Sequence, residues 1–169
     1  MFPGRLTHLS YGDLTRYYDR IPGSLVSSFP RREGTNSPLL PAPVAVRLIR
    51  DTIDMGAKQH GQMMWLVDGF PRREEHVAGW LAEMPQADCA IYLFCSPEIS
   101  VKRISDRSAT SGRPDDGDPV KVRKRVERSN ADSGPMLDAL EQSGIHVNRV
   151  DTERDVETVK GEVFGSMAT

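Results

Sequence analysis

The chain has 169 residues, of which 38% are hydrophobic and 27% charged, with a formal net charge of −2. That length supports one domain with a real core, and the near-balanced charge excludes a global basic field of the kind that marks a nucleic-acid partner. No stretch reaches the ~18 apolar residues of a transmembrane helix, and Met1-Phe2-Pro3-Gly4-Arg5 is no signal peptide, so no membrane partner is expected and the cytoplasm is the expected compartment.

Leu6-Thr7-His8-Leu9-Ser10 alternates weakly and predicts a short strand. Gly12 to Tyr18 predicts a helix, with Ser10 or Asp13 near its cap. Pro22, Pro30, Pro38, Pro41 and Pro43, with Gly23 and Gly34, break regular structure over residues 22–43. Val44 to Met55 predicts a helix with Val44, Leu48, Ile49 and Ile53 on one face. A strand over Gln62 to Val67 ends at Asp68. Pro71 is expected to open a helix running to about Met84, because its missing N–H falls where helix donors have no partner. Cys89 to Cys95 is apolar on both faces, as an internal parallel strand is. Next come a helix over Ile99–Asp106, a polar loop over Ser108–Pro119, and a basic helix from Val120 to about Asn130. A further helix over Pro135–Ser143, a strand over Ile145–Val150 and a helix over Val156–Phe164 complete the chain. Alternating strands and helices imply an α/β class with a parallel sheet flanked by helices. On one strand, Cys89 and Cys95 would lie roughly 20 Å apart, beyond the ~7 Å that a disulfide spans, so both are expected as buried free thiols.

Trp65-Leu66-Val67-Asp68-Gly69-Phe70-Pro71-Arg72 carries the densest chemistry. Ligands of parallel α/β sheets bind at the carboxyl ends of strands. An acid followed by an arginine at that edge can serve a Mg²⁺–phosphate complex and a phosphoryl oxygen together. The same pair can equally be a helix cap and a solvated cation, and residue types alone leave both open. Arg103 and Arg107 share a helical face, Arg113 lies in a glycine-containing loop before Asp115-Asp116, and Arg125 sits in the basic helix. Arginine suits bidentate contact with phosphate, although each alone could belong to a solvated basic face. Gly12 and Arg16 flank a helix start where a phosphate could approach the backbone. His76 could face a substrate base or be a plain surface residue. No histidine has a carboxylate or cysteine at metal-ligand spacing, so no structural metal is assigned.

Taken together, these residues resemble the nucleoside monophosphate kinases of the adenylate and UMP/CMP kinase type, over about His8 to Val163. The resemblance rests on His8-Leu9-Ser10-Tyr11-Gly12-Asp13-Leu14-Thr15-Arg16, Leu39-Leu40-Pro41, Asp68-Gly69-Phe70-Pro71-Arg72, Arg103 with Arg107, Ser111-Gly112-Arg113-Pro114-Asp115-Asp116, and Arg125. It implies one P-loop-kinase-like domain, a mobile acceptor segment over about residues 22–60 and a short lid over about 108–119. Gly12, Arg16, Leu40, Gly69, Phe70, Pro71, Arg72 and His76 would then hold a nucleoside monophosphate (AMP, UMP or CMP). Arg103 and Arg107 would contact the phosphates of ATP, Arg113 and Arg125 would close with the lid onto the transferring phosphoryl group and the monophosphate, and Asp68 would orient water on Mg²⁺. Arg72, Arg103, Arg113, Arg125 and Asp68 would form the catalytic set, in a monomer whose partners are nucleotides.

Three departures from the family pattern stand out. Tyr11 replaces a usually small residue, and His76 replaces a base-reading amide. G-x-x-x-x-G-K-[ST], the family's phosphate loop, does not occur in the 169 residues. The resemblance therefore leaves two expectations: a kinase whose loop and first strand are missing from this sequence, or a nucleotide-binding relative that does not turn over. A plain α/β domain offering its basic helix to a protein partner is a third, unrelated one.

Overall fold

The computed structural model describes residues 6–31, 38–61, 63–110 and 114–167. It divides into two compact units, residues 1–85 and 86–169.

In the first unit, β1 (Leu6–Ser10) and β2 (Met64–Asp68) pair in parallel, with Leu6 opposite Met64 and Ser10 opposite Asp68. Both strands therefore end level. α1 (Tyr11–Asp19) starts without a linker after β1, because Ser10 caps it by accepting the Asp13 amide. α2 (Ala42–His60) is longer than the expected Val44–Met55. It begins after Pro41 and stops at Gly61, whose φ of 63° makes a left-handed cap. Its fully buried residues are Ala45, Val46 and Ile49, with Val44, Leu48 and Ile53 at the core margin. α3 (Glu74–Glu83) begins three residues later than Pro71. Residues 69–73 instead spend their polar groups in a turn that contains a cis Phe70–Pro71 bond. The core joins Leu9, Tyr11, Val26, Leu40, Ala45 and Ile49, with Trp65 and Trp80 beside it.

The second unit pairs β3 (Ala90–Phe94) in parallel with β4 (Val147–Asp151). Helices α4 (Pro97–Asp106), α5 (Pro119–Gln142) and α6 (Val156–Ser166) accompany them. Parallel strands accompanied by helices are the expected α/β arrangement.

Two expectations about the secondary elements fail in this unit. The first is burial of both faces of β3: Leu93 is 54% and Phe94 41% exposed. Among the described residues β3 has one hydrogen-bonded neighbour, β4, so no further strand shields that end. The second is a break before Pro135. α5 runs through it, even though the Ala131 carbonyl loses the donor that a proline cannot supply. Val122, Val126, Leu137 and Leu140 show why: Val126 and Leu137 are three turns apart, so one buried stripe stays in phase across the proline, and packing outweighs the lost bond. Cys89 and Cys95 are free but only half-buried. Burial, with the charge of Asp88, pushes the Cys89 thiol above its usual range.

Candidate functional site

The level ends of β1 and β2 bring two sequence-distant arginines to one glycine. A Cβ on Gly12 would lie 3.2 Å from Arg16 Nη1 and 3.4 Å from Arg72 Nη2, so the missing side chain is what lets both guanidinium groups approach the backbone. Arg16 reaches there from the next turn of α1, where it also pairs with Asp13. Arg72 comes from the turn after β2. Its Nε donates to the Gly69 carbonyl at 2.7 Å, and its guanidinium carbon lies 4.9 Å from the centre of the Tyr11 ring. Gly69 supplies the sharp bend, with φ of 72°, a value that L side chains rarely adopt. Two guanidinium groups over a glycine at a strand end have the chemistry to receive an anion such as a phosphate.

Behind this cation pair lies an aromatic stack. Phe70 lies flat on His76 with centroids 4.8 Å apart, and Tyr11 meets Phe70 edge-on at 5.4 Å. His76 is only 3% exposed, which the bare spacing of the sequence did not reveal. Its Nδ1 accepts the Arg72 amide at 3.2 Å, and its Nε2 lies 3.3 Å from Arg73 Nη2. The same Arg73 nitrogen donates to the Leu40 carbonyl at 3.2 Å. Sequence reasoning passed over Arg73, yet it links buried Leu40 to the turn. Pro71 is half-buried within that turn. Asp68, exposed at the end of β2, lies 3.6 Å from His8 Nε2. The structure thus gathers Gly12, Arg16, Gly69 and Arg72 around one point and sets Phe70, Pro71 and His76 behind them.

In the second unit the expected donor-side arginines separate into two places. Arg103 donates to the Thr152 hydroxyl at 3.0 Å and to its carbonyl at 2.6 Å. It lines a cleft of about 420 Å³ with Thr152, Arg154, Val156, Lys160 and Phe164. Its planar cation and the exposed apolar Val156 and Phe164 offer surfaces on which an aromatic base could stack. At the mouth of α6, Asp155 accepts from the Thr158 hydroxyl and amide, which holds its carboxyl below the usual range.

Arg107 and Arg125 meet at Asp116. The Asp116 side chain is fully buried, 2.6 Å from Arg125 Nη2 and 3.6 Å from Arg107 Nε. Like Arg73, it is a residue that sequence reasoning missed: Asp115-Asp116 was visible as an acidic pair, but not that Asp116 would be buried against both arginines. Arg113 lies outside the described residues. Among the described residues no group of three or more His, Cys, Asp or Glu could hold a bare metal ion. Asp68 is an exposed carboxylate of the kind that would suit a hydrated Mg²⁺. No helix among the described residues is long and apolar enough to cross a membrane.

Comparison with known proteins follows the same lines. A family profile described as "AAA domain" matches residues 4–120. The chain is similar to a UMP-CMP kinase of Mus musculus, 30% identical over 161 residues, which cover 93% of this chain and 81% of that protein. It is similar to UMP-CMP kinases of Gallus gallus (32% over 157 residues; 90% and 79%) and Danio rerio (33% over 165 residues; 93% and 81%).

Proposed function

The chain belongs to the nucleoside monophosphate kinases, and we propose that it transfers the γ-phosphoryl group of Mg·ATP to a pyrimidine nucleoside monophosphate. The observation that carries this reading is the convergence of Arg16 and Arg72 on Gly12. UMP and CMP are proposed ahead of AMP because the relatives are named for them.

In this reading the monophosphate sits on Arg16 and Arg72, whose charges offset its repulsion from the donor. One of its oxygens attacks the γ-phosphorus as the bond to the β-bridging oxygen breaks, which leaves ADP and a nucleoside diphosphate. Such transfer relies on positioning and charge neutralisation more than on covalent chemistry. Phe70, Pro71 and Gly69 shape the acceptor wall, with Leu40 and His76 behind it. On the donor side, Arg103 and its cleft are proposed to receive the ATP base, and Arg107 and Arg125 the phosphates, together with Arg113. Asp68 is proposed to orient water on Mg²⁺, which supplies positive charge to the phosphates when bound.

The test is calorimetry of UMP, CMP and AMP binding, paired with ADP formation from Mg·ATP. Arg72→Ala is expected to weaken monophosphate binding about 10- to 100-fold, the loss of one or two charged hydrogen bonds. Equal affinity in both proteins would overturn the site. Monophosphate binding without ADP formation would select a relative that binds nucleotides and does not turn over.

A further inference from the structure

We propose that His76 is a positioning residue whose neutral imidazole, unprotonated at Nδ1, holds the turn that keeps the Arg72 guanidinium over Gly12. This rests on the monophosphate reading of that site. Four observations carry it.

The Arg72 amide points at Nδ1 from 3.2 Å, and the backbone fixes the direction of its hydrogen. The ring is 3% exposed and stacked on Phe70 at an interplanar angle of 12°, so it cannot swing away. The opposite nitrogen faces Arg73 Nη2, and a guanidinium only donates. A neutral imidazole accepts at one nitrogen alone, so the two contacts cannot both be hydrogen bonds to the ring. Arg73 Nη2 has the Leu40 carbonyl as another acceptor, whereas the Arg72 amide cannot turn. The lone pair therefore belongs at Nδ1 and the proton at Nε2.

The charges around the ring favour the same state. Arg73 faces it from the turn, with its Nη1 paired to Glu75 of the same helix as His76 at 3.0 Å. From α1, Tyr11 faces the ring at 6.3 Å between ring centroids. Residues 38–41, around Leu40, carry no ionisable side chain. Protonation would set a second positive charge beside Arg73 and turn Nδ1 into a donor against the Arg72 amide. The turn would lose its anchor, and Arg72 its aim. His76 thus acts on the phosphate through Arg72, in the place where the family resemblance suggests a base reader.

The experiment compares wild type with His76→Asn, His76→Leu and Arg72→Ala by calorimetry with UMP and CMP. It adds ¹⁵N NMR of histidine-labelled wild type. Asparagine keeps an acceptor near the Nδ1 position and does not titrate, whereas leucine removes the acceptor. The expected NMR result at about pH 7 is an unprotonated Nδ1 with the proton on Nε2. His76→Leu should bind about tenfold or more weakly, and His76→Asn no more than about threefold more weakly than wild type. Acidification from about pH 8 to about pH 6 should weaken wild type more than His76→Asn.

A proton on Nδ1, or His76→Leu binding as wild type does while Arg72→Ala is weakened, would overturn the proposal. If His76→Leu fails to fold, the tautomer and His76→Asn decide. If Arg72→Ala alone leaves affinity unchanged, the monophosphate reading falls instead, and the tautomer decides whether His76 anchors the turn.

Discussion

Replacing Gly12 by alanine separates the ligand's need for that glycine from any need of the fold. Gly12 lies in the first turn of α1 at an ordinary helical φ, so alanine brings no backbone strain. Its methyl would come 3.2 Å from Arg16 Nη1 and 3.4 Å from Arg72 Nη2, both ends of flexible side chains that can retreat by a few tenths of an ångström. Alanine is a better helix former than glycine by up to about 1 kcal/mol, less in a first turn, so stability should hold or rise by up to about 0.5 kcal/mol. That is a Tm change of about 1–2 °C for a chain of this size. Affinity should move the other way. The methyl occupies the space that a phosphate oxygen would share with the two cations, and displacing one charged hydrogen bond costs about 1.5–3 kcal/mol. UMP binding should therefore weaken about 10- to 100-fold by calorimetry, with Tm unchanged or higher. Unaltered affinity with intact folding would refute the argument that Gly12 is the floor of the phosphate site. A large drop in Tm would show that the glycine serves packing.

Asp116→Asn leaves Arg107 and Arg125 without their shared anion. Breaking a fully buried pair costs roughly 3–5 kcal/mol, but the arginines are 50% and 30% exposed, so about 2 kcal/mol is expected in urea unfolding. A loss below about 0.5 kcal/mol would mean that solvent replaces the carboxylate at no cost. Asp155 has a folded pKa below the ordinary value, so its contribution to α6 is complete above the carboxylate range and is lost as pH falls through the depressed value. Asp155→Ala should fray α6 at neutral pH and remove that acid-side dependence, read from amide exchange at Thr158. An Asp155 carboxyl that titrates in the usual range would contradict this cap.

The convergence of Gly12, Arg16 and Arg72 at one end of the first unit was legible because its signals are local. Gly12 and Arg16 are one turn apart, and Asp68-Gly69-Phe70-Pro71-Arg72 carries its bend, its cation and its strand end in one run. Local rules misled where tertiary packing decides. Pro71 has the profile of a helix start, yet Arg72 spends its amide on His76 and its side chain on Gly69, and α3 waits until Glu74. Pro135 and Gly134 have the profile of a boundary, yet the stripe from Val122 to Leu140 carries α5 across them. Burial of His76 and Asp116 could not be read from spacing. Each is polar on a helix or loop edge, and its burial depends on how neighbouring turns and elements pack around it.

The pairing of β1 with β2 has a kinetic meaning. The Arg72 turn is anchored by bonds spanning three or four residues, so it can form early and unaided. Its meeting with Gly12 waits on strand partners nearly sixty positions apart in sequence, such as Ser10 and Asp68, and closing such a long loop is slow. The meeting of Arg16 and Arg72 at Gly12 is therefore expected late in the folding of this unit. A nucleotide added to a refolding chain would rescue the paired state and leave the isolated turn untouched, and substitutions that loosen β1 would surface as weaker monophosphate binding before any loss of helix content.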